Sequence, residues 1–166
     1  MQLPIFELGY VTLSQFAERS NDNIIVSCNE SIRDIVKPIL KPYGARWPSH
    51  TDSCIVNSIY SVALFKVLYG LHPQVHRQTP SSVKTTIELQ ISSDEYLTIS
   101  QHEAQQPTLI TIRCNKPAHD TVTTMIEGHK GKWNGHNTVA YVPRTESIAL
   151  FESLFELHVP YLIDRN

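Results

Sequence analysis

The stretch WNGHNTVAYVPRTESIALFESLFELH, Trp133 to His158, repeats a stretch that the chain has already written 86 residues earlier as WPSHTDSCIVNSIYSVALFKVLYGLH, Trp47 to His72. Aligned without a gap, the two share Trp, His, Val, Ser, the run Ala-Leu-Phe, two further leucines and the closing His. Extending the alignment to residues 1–72 and 87–158 gives 21 identities in 72 pairs. Unrelated chains of ordinary composition would share roughly 4 to 6, because each common residue type makes up less than about a tenth of a chain. The sequence therefore reads as an internal duplication.

Working outward from the tryptophans, each half carries the same succession of signals. Tyr10 to Gln15 and Tyr96 to Gln101 alternate apolar and polar residues, the pattern of a half-buried strand. Ile24 to Cys28 and Ile110 to Cys114 follow as short apolar strands, each closed by an asparagine placed to cap a helix. Ile32, Ile35, Val36, Ile39 and Leu40 then fall at helical spacing, and Ala118, Val122, Met125 and Ile126 repeat most of that stripe. Pro38 should kink or shorten the first of these helices.

After each Trp come turn-forming residues and a short apolar strand, Ser53 to Val56 or Thr138 to Val142, which predicts a hairpin. A closing helix begins near Ser61 or Ser147, with Leu64, Phe65, Leu68 and Leu71, or Leu150, Phe151, Leu154 and Leu157, facing the core. The expectation is an α+β protein built from two ββαββα-type units, 1–72 and 87–158. A polar linker over 73–86, with Pro73 and Pro80, joins them, and 159–166 is read as a tail. Each unit alone is near the size at which one core is marginal, so the two are expected to pack as a pseudo-two-fold pair.

Composition narrows the function classes. Formal net charge is −2, distributed as six Lys/Arg against six Asp/Glu in 1–72 and five against nine in 87–158. Neither half has the basic excess of a general nucleic-acid binder, so any such binding needs a local patch. The first residues, MQLPIFELGY, have neither the basic start nor the apolar core of a signal peptide, and no apolar run is long enough to span a bilayer, so a cytoplasmic location without membrane contact is expected. Cys28, Cys54 and Cys114 are odd in number and far apart, which indicates neither a disulfide framework nor a zinc finger.

Enzyme signatures are missing. Gly128-His129-Lys130-Gly131-Lys132 has the wrong spacing for a phosphate-binding loop, and no nucleophile elbow, zinc-protease helix or dinucleotide glycine pattern occurs. Asp34 and Asp120 are matched acids, but a place in the first turn of a helix accounts for both. His50 with His136, His72 with His158, and Cys28 with Cys114 are matched across the halves, yet none has local ligand spacing, so no metal, cofactor or catalytic residue is expected.

Ala45-Arg46-Trp47, and more fully Gly131-Lys132-Trp133-Asn134 with Tyr141-Val142-Pro143, resemble the small HARP-type module found beside annealing helicases and the "GGRWN…W-x-FP" domains of phage and plasmid DNA-processing proteins. The likeness covers about thirty residues of each half. It departs in the first, where Ile55 stands for the second aromatic and Asn57 for the proline. The resemblance implies an accessory role in DNA binding.

On chemical grounds such a role would use Arg46, Trp47 and His50, and Lys130, Lys132, Trp133, Asn134, His136 and Arg144, with Lys37 and Lys41 nearby: cations neutralise phosphates and an aromatic face stacks on an unpaired base. The alternative is a small phage- or plasmid-borne inhibitor that docks on a host nuclease or defence complex through the acidic second half. A tryptophan repeated at one place in a duplicated unit is also what a core anchor looks like. The turn from Lys130 to Asn137, in the half that keeps Gly131, Lys132, Asn134 and Pro143, is the expected binding element if one half binds and the other supports it. Oligomeric state is left open.

Overall fold

A computed structural model describes residues 1–5, 8–15, 23–49, 51–71, 86–101, 108–135 and 138–164, the last seven of these as backbone alone. The chain forms two compact units, Met1–Val83 and Lys84–Asn166. Both mix helices with an antiparallel sheet, the α+β class.

In unit 1, β1 (Gln2–Ile5), β2 (Gly9–Gln15), β3 (Asn23–Cys28) and β4 (Ser53–Asn57) lie in that order in an antiparallel sheet. Period-two alternation puts Leu3, Ile5, Val11, Leu13, Ile24, Val26, Cys28, Cys54 and Val56 on the buried face. Two helices bring matching apolar stripes. Helix α1 (Glu30–Leu40) lies against β2 and β3 and buries Ile32, Val36 and Leu40, and α2 (Ser61–Tyr69) lies against β1 and buries Leu64, Phe65 and Leu68.

Unit 2 repeats this with β5 (Thr86–Gln90), β6 (Tyr96–Gln101), β7 (Leu109–Cys114), α3 (Lys116–Gly128), β8 (Lys132–Trp133), β9 (Val139–Pro143) and α4 (Ser147–Asp164), in sheet order β5-β6-β7-β9-β8. Strand register is the same in the two units once numbers are raised by 86: Val11 faces Cys28 and Ile24 faces Val56, as Leu97 faces Cys114 and Ile110 faces Val142. The residue before each Trp pairs alike as well, Arg46 with Ile55 and Lys132 with Tyr141.

Several sequence expectations change. Each unit opens with a further strand: β1, four residues with Pro4 that its edge position tolerates, shows little periodicity, whereas β5 alternates Ile87 and Leu89 with Glu88 and Gln90. Strand β5 begins at Thr86, the last residue assigned to the linker, and 73–85 lie outside the described residues. Helix α4 runs on to Asp164, through most of the expected tail. Helices α1 and α3 start at matched positions, and α1 ends two residues earlier, at Leu40, just past Pro38.

The two asparagines do more than cap. Asn115 Oδ1 accepts from Ala118 N at 3.3 Å, as a cap should, and also from Tyr96 N at 3.1 Å. Asn29 Oδ1 makes only the second kind of bond, from Tyr10 N at 3.0 Å, and does not cap α1. Both therefore tie the start of a helix to the start of the unit's second strand.

Candidate nucleic-acid interface

In unit 1 the route to the tryptophan is set by the end of α1. A 3₁₀ turn over Lys41–Tyr43 leads to Gly44, whose backbone is left-handed at φ 67°. That reversal aims the chain back along β4, and Arg46 exchanges two backbone hydrogen bonds with Ile55, 3.0 and 3.1 Å. Ile55 lies between the buried Cys54 and Val56 and so occupies the face of the sheet away from the helices, where it is 41% exposed. Arg46, its cross-strand neighbour, is exposed beside it.

Trp47 then turns toward the helix side. It is half-buried, with Lys37 Nζ of α1 5.6 Å from its ring centre. Tyr43 is half-buried too, and its ring lies 5.9 Å from that of Tyr60, tilted by 59°. Tyr60, 40% exposed, sits in the 3₁₀ turn Ser58–Tyr60, which Asn57 fixes by accepting from Ile59 N at 2.9 Å. Lys37, Lys41 and Arg46 are all exposed, and none has an ion pair among the described residues. Between residues 35 and 87 the only acid is Asp52, and it is paired with Arg33.

Unit 2 spends its polar side chains differently. Lys130 takes the left-handed place of Gly44, with φ 60°, and its ammonium is bonded to Glu146. His129 stands where unit 1 has Tyr43. Its Nε2 is 3.0 Å from Ser153 Oγ and its Nδ1 is 4.0 Å from Glu146 Oε2. Gly131 is a packing requirement: a Cβ there would lie 2.3 Å from Ile126 Cγ2 and 2.6 Å from the Ile126 carbonyl oxygen. Lys132 is exposed beside Tyr141.

Trp133 is half-buried opposite the buried Ala140, with the His119 ring of α3 4.6 Å from its own, and the indole N–H is buried without a hydrogen-bond partner among the described residues. Asn134 holds the turn, accepting from Thr138 N and Val139 N at 3.3 Å each.

The expected site residues thus fall into groups. Arg46 and Lys132 are presented at the surface, and Trp47 and Trp133 anchor the edge of their units with helix side chains over their rings. Lys130 is held by Glu146, and Asn134 by its own turn. Arg144 is corrected: it is 7% exposed, at a position that is buried in unit 1 also, where Ser58 stands, so its guanidinium is not on a surface with the lysines. His50 and His136, like His72 and the side chain of His158, lie outside the described residues.

Among the described residues no three His, Cys, Asp or Glu side chains converge as metal ligands, and no helix is long and apolar enough to cross a membrane. Cys28 and Cys54 are buried free thiols and Cys114 is a half-buried one. Desolvation raises the pKa of all three, that of Cys54 to about 12. Asp34 and Asp120, the matched acids, are both exposed.

Tyr43 and Tyr60 carry no repeated motif, and sequence reasoning passed over them. The signal that points to them is the nearly acid-free run from 35 to 87, which a balance taken over the whole of 1–72 averages away. No protein-family model matches the chain, and no curated protein sequence matches it.

Proposed function

We propose that this chain is a non-enzymatic, accessory nucleic-acid-binding protein, and that the Arg46–Trp47 edge of unit 1, rather than the Lys130–Asn137 turn of unit 2, is its contact surface. One observation carries the reading. Lys37, Lys41 and Arg46 are exposed cations without ion pairs among the described residues, Lys37 lies over Trp47, Lys41 and Arg46 bracket Tyr43 in sequence, and Asp52, the one acid between residues 35 and 87, is already paired with Arg33, although Asp34 is exposed one turn before Lys37. Three cations at one edge can each displace a counterion from a phosphate backbone, a local solution to a net charge of −2. The same positions in unit 2 oppose such contact, because Glu146 sits where Tyr60 does and engages Lys130.

The likeness of each half to DNA-processing accessory modules points the same way, and Lys132 is its surface cation in unit 2. The test is a mobility shift of labelled oligonucleotides at low salt with wild-type protein and Lys41→Glu/Arg46→Glu. A shift in the wild type that the double variant loses supports the reading. No shift at any protein concentration overturns it, and one stoichiometric protein recovered from nuclease-treated lysate would then favour the inhibitor alternative.

A further inference from the structure

We infer that the nucleic acid bound by unit 1 is single-stranded, and that Tyr60, backed by Tyr43, is a base-stacking platform beside the Arg46 edge; this rests on the proposed nucleic-acid reading. A phenol 40% exposed at the surface gives up favourable burial, and here it is held in place instead of free to fold down. Tyr43 contacts it at 5.9 Å from the end of α1, and the Asn57 bond to Ile59 N fixes the turn it belongs to. Ile55 and Ile59, 41% and 36% exposed, extend the apolar surface along the same strand and turn.

Lys41 stands two residues before Tyr43 in the same turn, and Arg46 pairs with Ile55 on the strand that leads into the Tyr60 turn. An exposed aromatic ring on an edge that also carries cations suits an unpaired strand: phosphates meet the cations and a base meets the ring. In a duplex the base faces are already stacked on one another and offer no such partner. The matched positions of unit 2 make the contrast. His129 and Glu146 replace the two tyrosines, and a carboxylate at the platform position repels phosphate, so unit 2 has no second platform.

The deciding experiment is fluorescence anisotropy with a labelled 20-nucleotide single strand and with its duplex, comparing wild type, Tyr60→Ala and Tyr60→Phe. We expect tighter binding to the single strand. Tyr60→Ala should weaken it by roughly 5- to 150-fold, the range that about 1–3 kcal/mol per stacked base corresponds to, with duplex binding unchanged and Tyr60→Phe close to wild type. Equal affinity for both forms, or a Tyr60→Ala variant that binds single strands like wild type, overturns this inference and leaves the wider reading standing. Binding of neither form by the wild type overturns the wider reading instead.

Discussion

Gly44 and Gly131 look like interchangeable turn glycines, yet the backbone makes different demands of them. Gly44 has φ 67° and open space around it, so Gly44→Ala should cost only the left-handed conformation, about 1–2 kcal/mol. Gly131 has a steric reason. An added methyl would overlap Ile126, so Gly131→Ala should cost about 1–3 kcal/mol, although unit 1 carries Ala45 at the matched place. Urea denaturation of each variant checks both. Cys54 gives a residue-scale pH prediction. Burial raises its thiol from 9.0 to about 12 in the folded chain. Below pH 9 both states are protonated and the thiol has no effect on pH dependence. As pH rises from 9 toward 12 the unfolded thiol ionises first, so stability falls over that window. Cys54→Ala, which installs the residue that unit 2 has as Ala140, should flatten the decline in denaturation midpoints measured from pH 8 to 10.5.

At the scale of elements, the joint between strand and helix is where each unit is most exposed to a single change. Asn115 satisfies two backbone N–H groups, Tyr96 and Ala118, from one side-chain oxygen. Asn115→Ala should therefore cost about 1–2 kcal/mol, read from thermal unfolding. Asn29→Ala, which frees one backbone N–H, that of Tyr10, and a side-chain bond to Ser31, should cost less. The strands and helices that carry these joints were legible in the sequence because their signals are periodic. Leu64, Phe65 and Leu68 are fully buried, as are Phe151, Leu150 and Leu154 within 1%, where helical spacing placed them. Strand β1 was not legible, since four residues with a proline inside show too little alternation to register. The candidate site was legible only in part. Arg46 and Lys132 reach the surface as their type suggests. The burial of Arg144 belongs to its position before the last helix, which the sheet and α4 create together, and no local pattern reports that.

For the molecule as a whole, charge is best read patch by patch. A chain at −2 has no long-range attraction for phosphate, so binding has to come from a few cations close to the strand they neutralise, within about a Debye length. Unit 1 has such a group in Lys37, Lys41 and Arg46, and unit 2 has bound its Lys130 to Glu146. Shared register and shared core residues give the two units one fold, while their surfaces differ at the corner beside each tryptophan. Whether these cations meet phosphate is read from the dependence of single-strand affinity on salt, as log K against log salt concentration, for wild type and for Lys41→Ala/Arg46→Ala. A falling line is expected, its slope shallower by roughly 1.4 in the double variant, about 0.7 for each phosphate contact removed. An affinity in the wild type that ignores salt, or a slope that the double variant leaves unchanged, would contradict it.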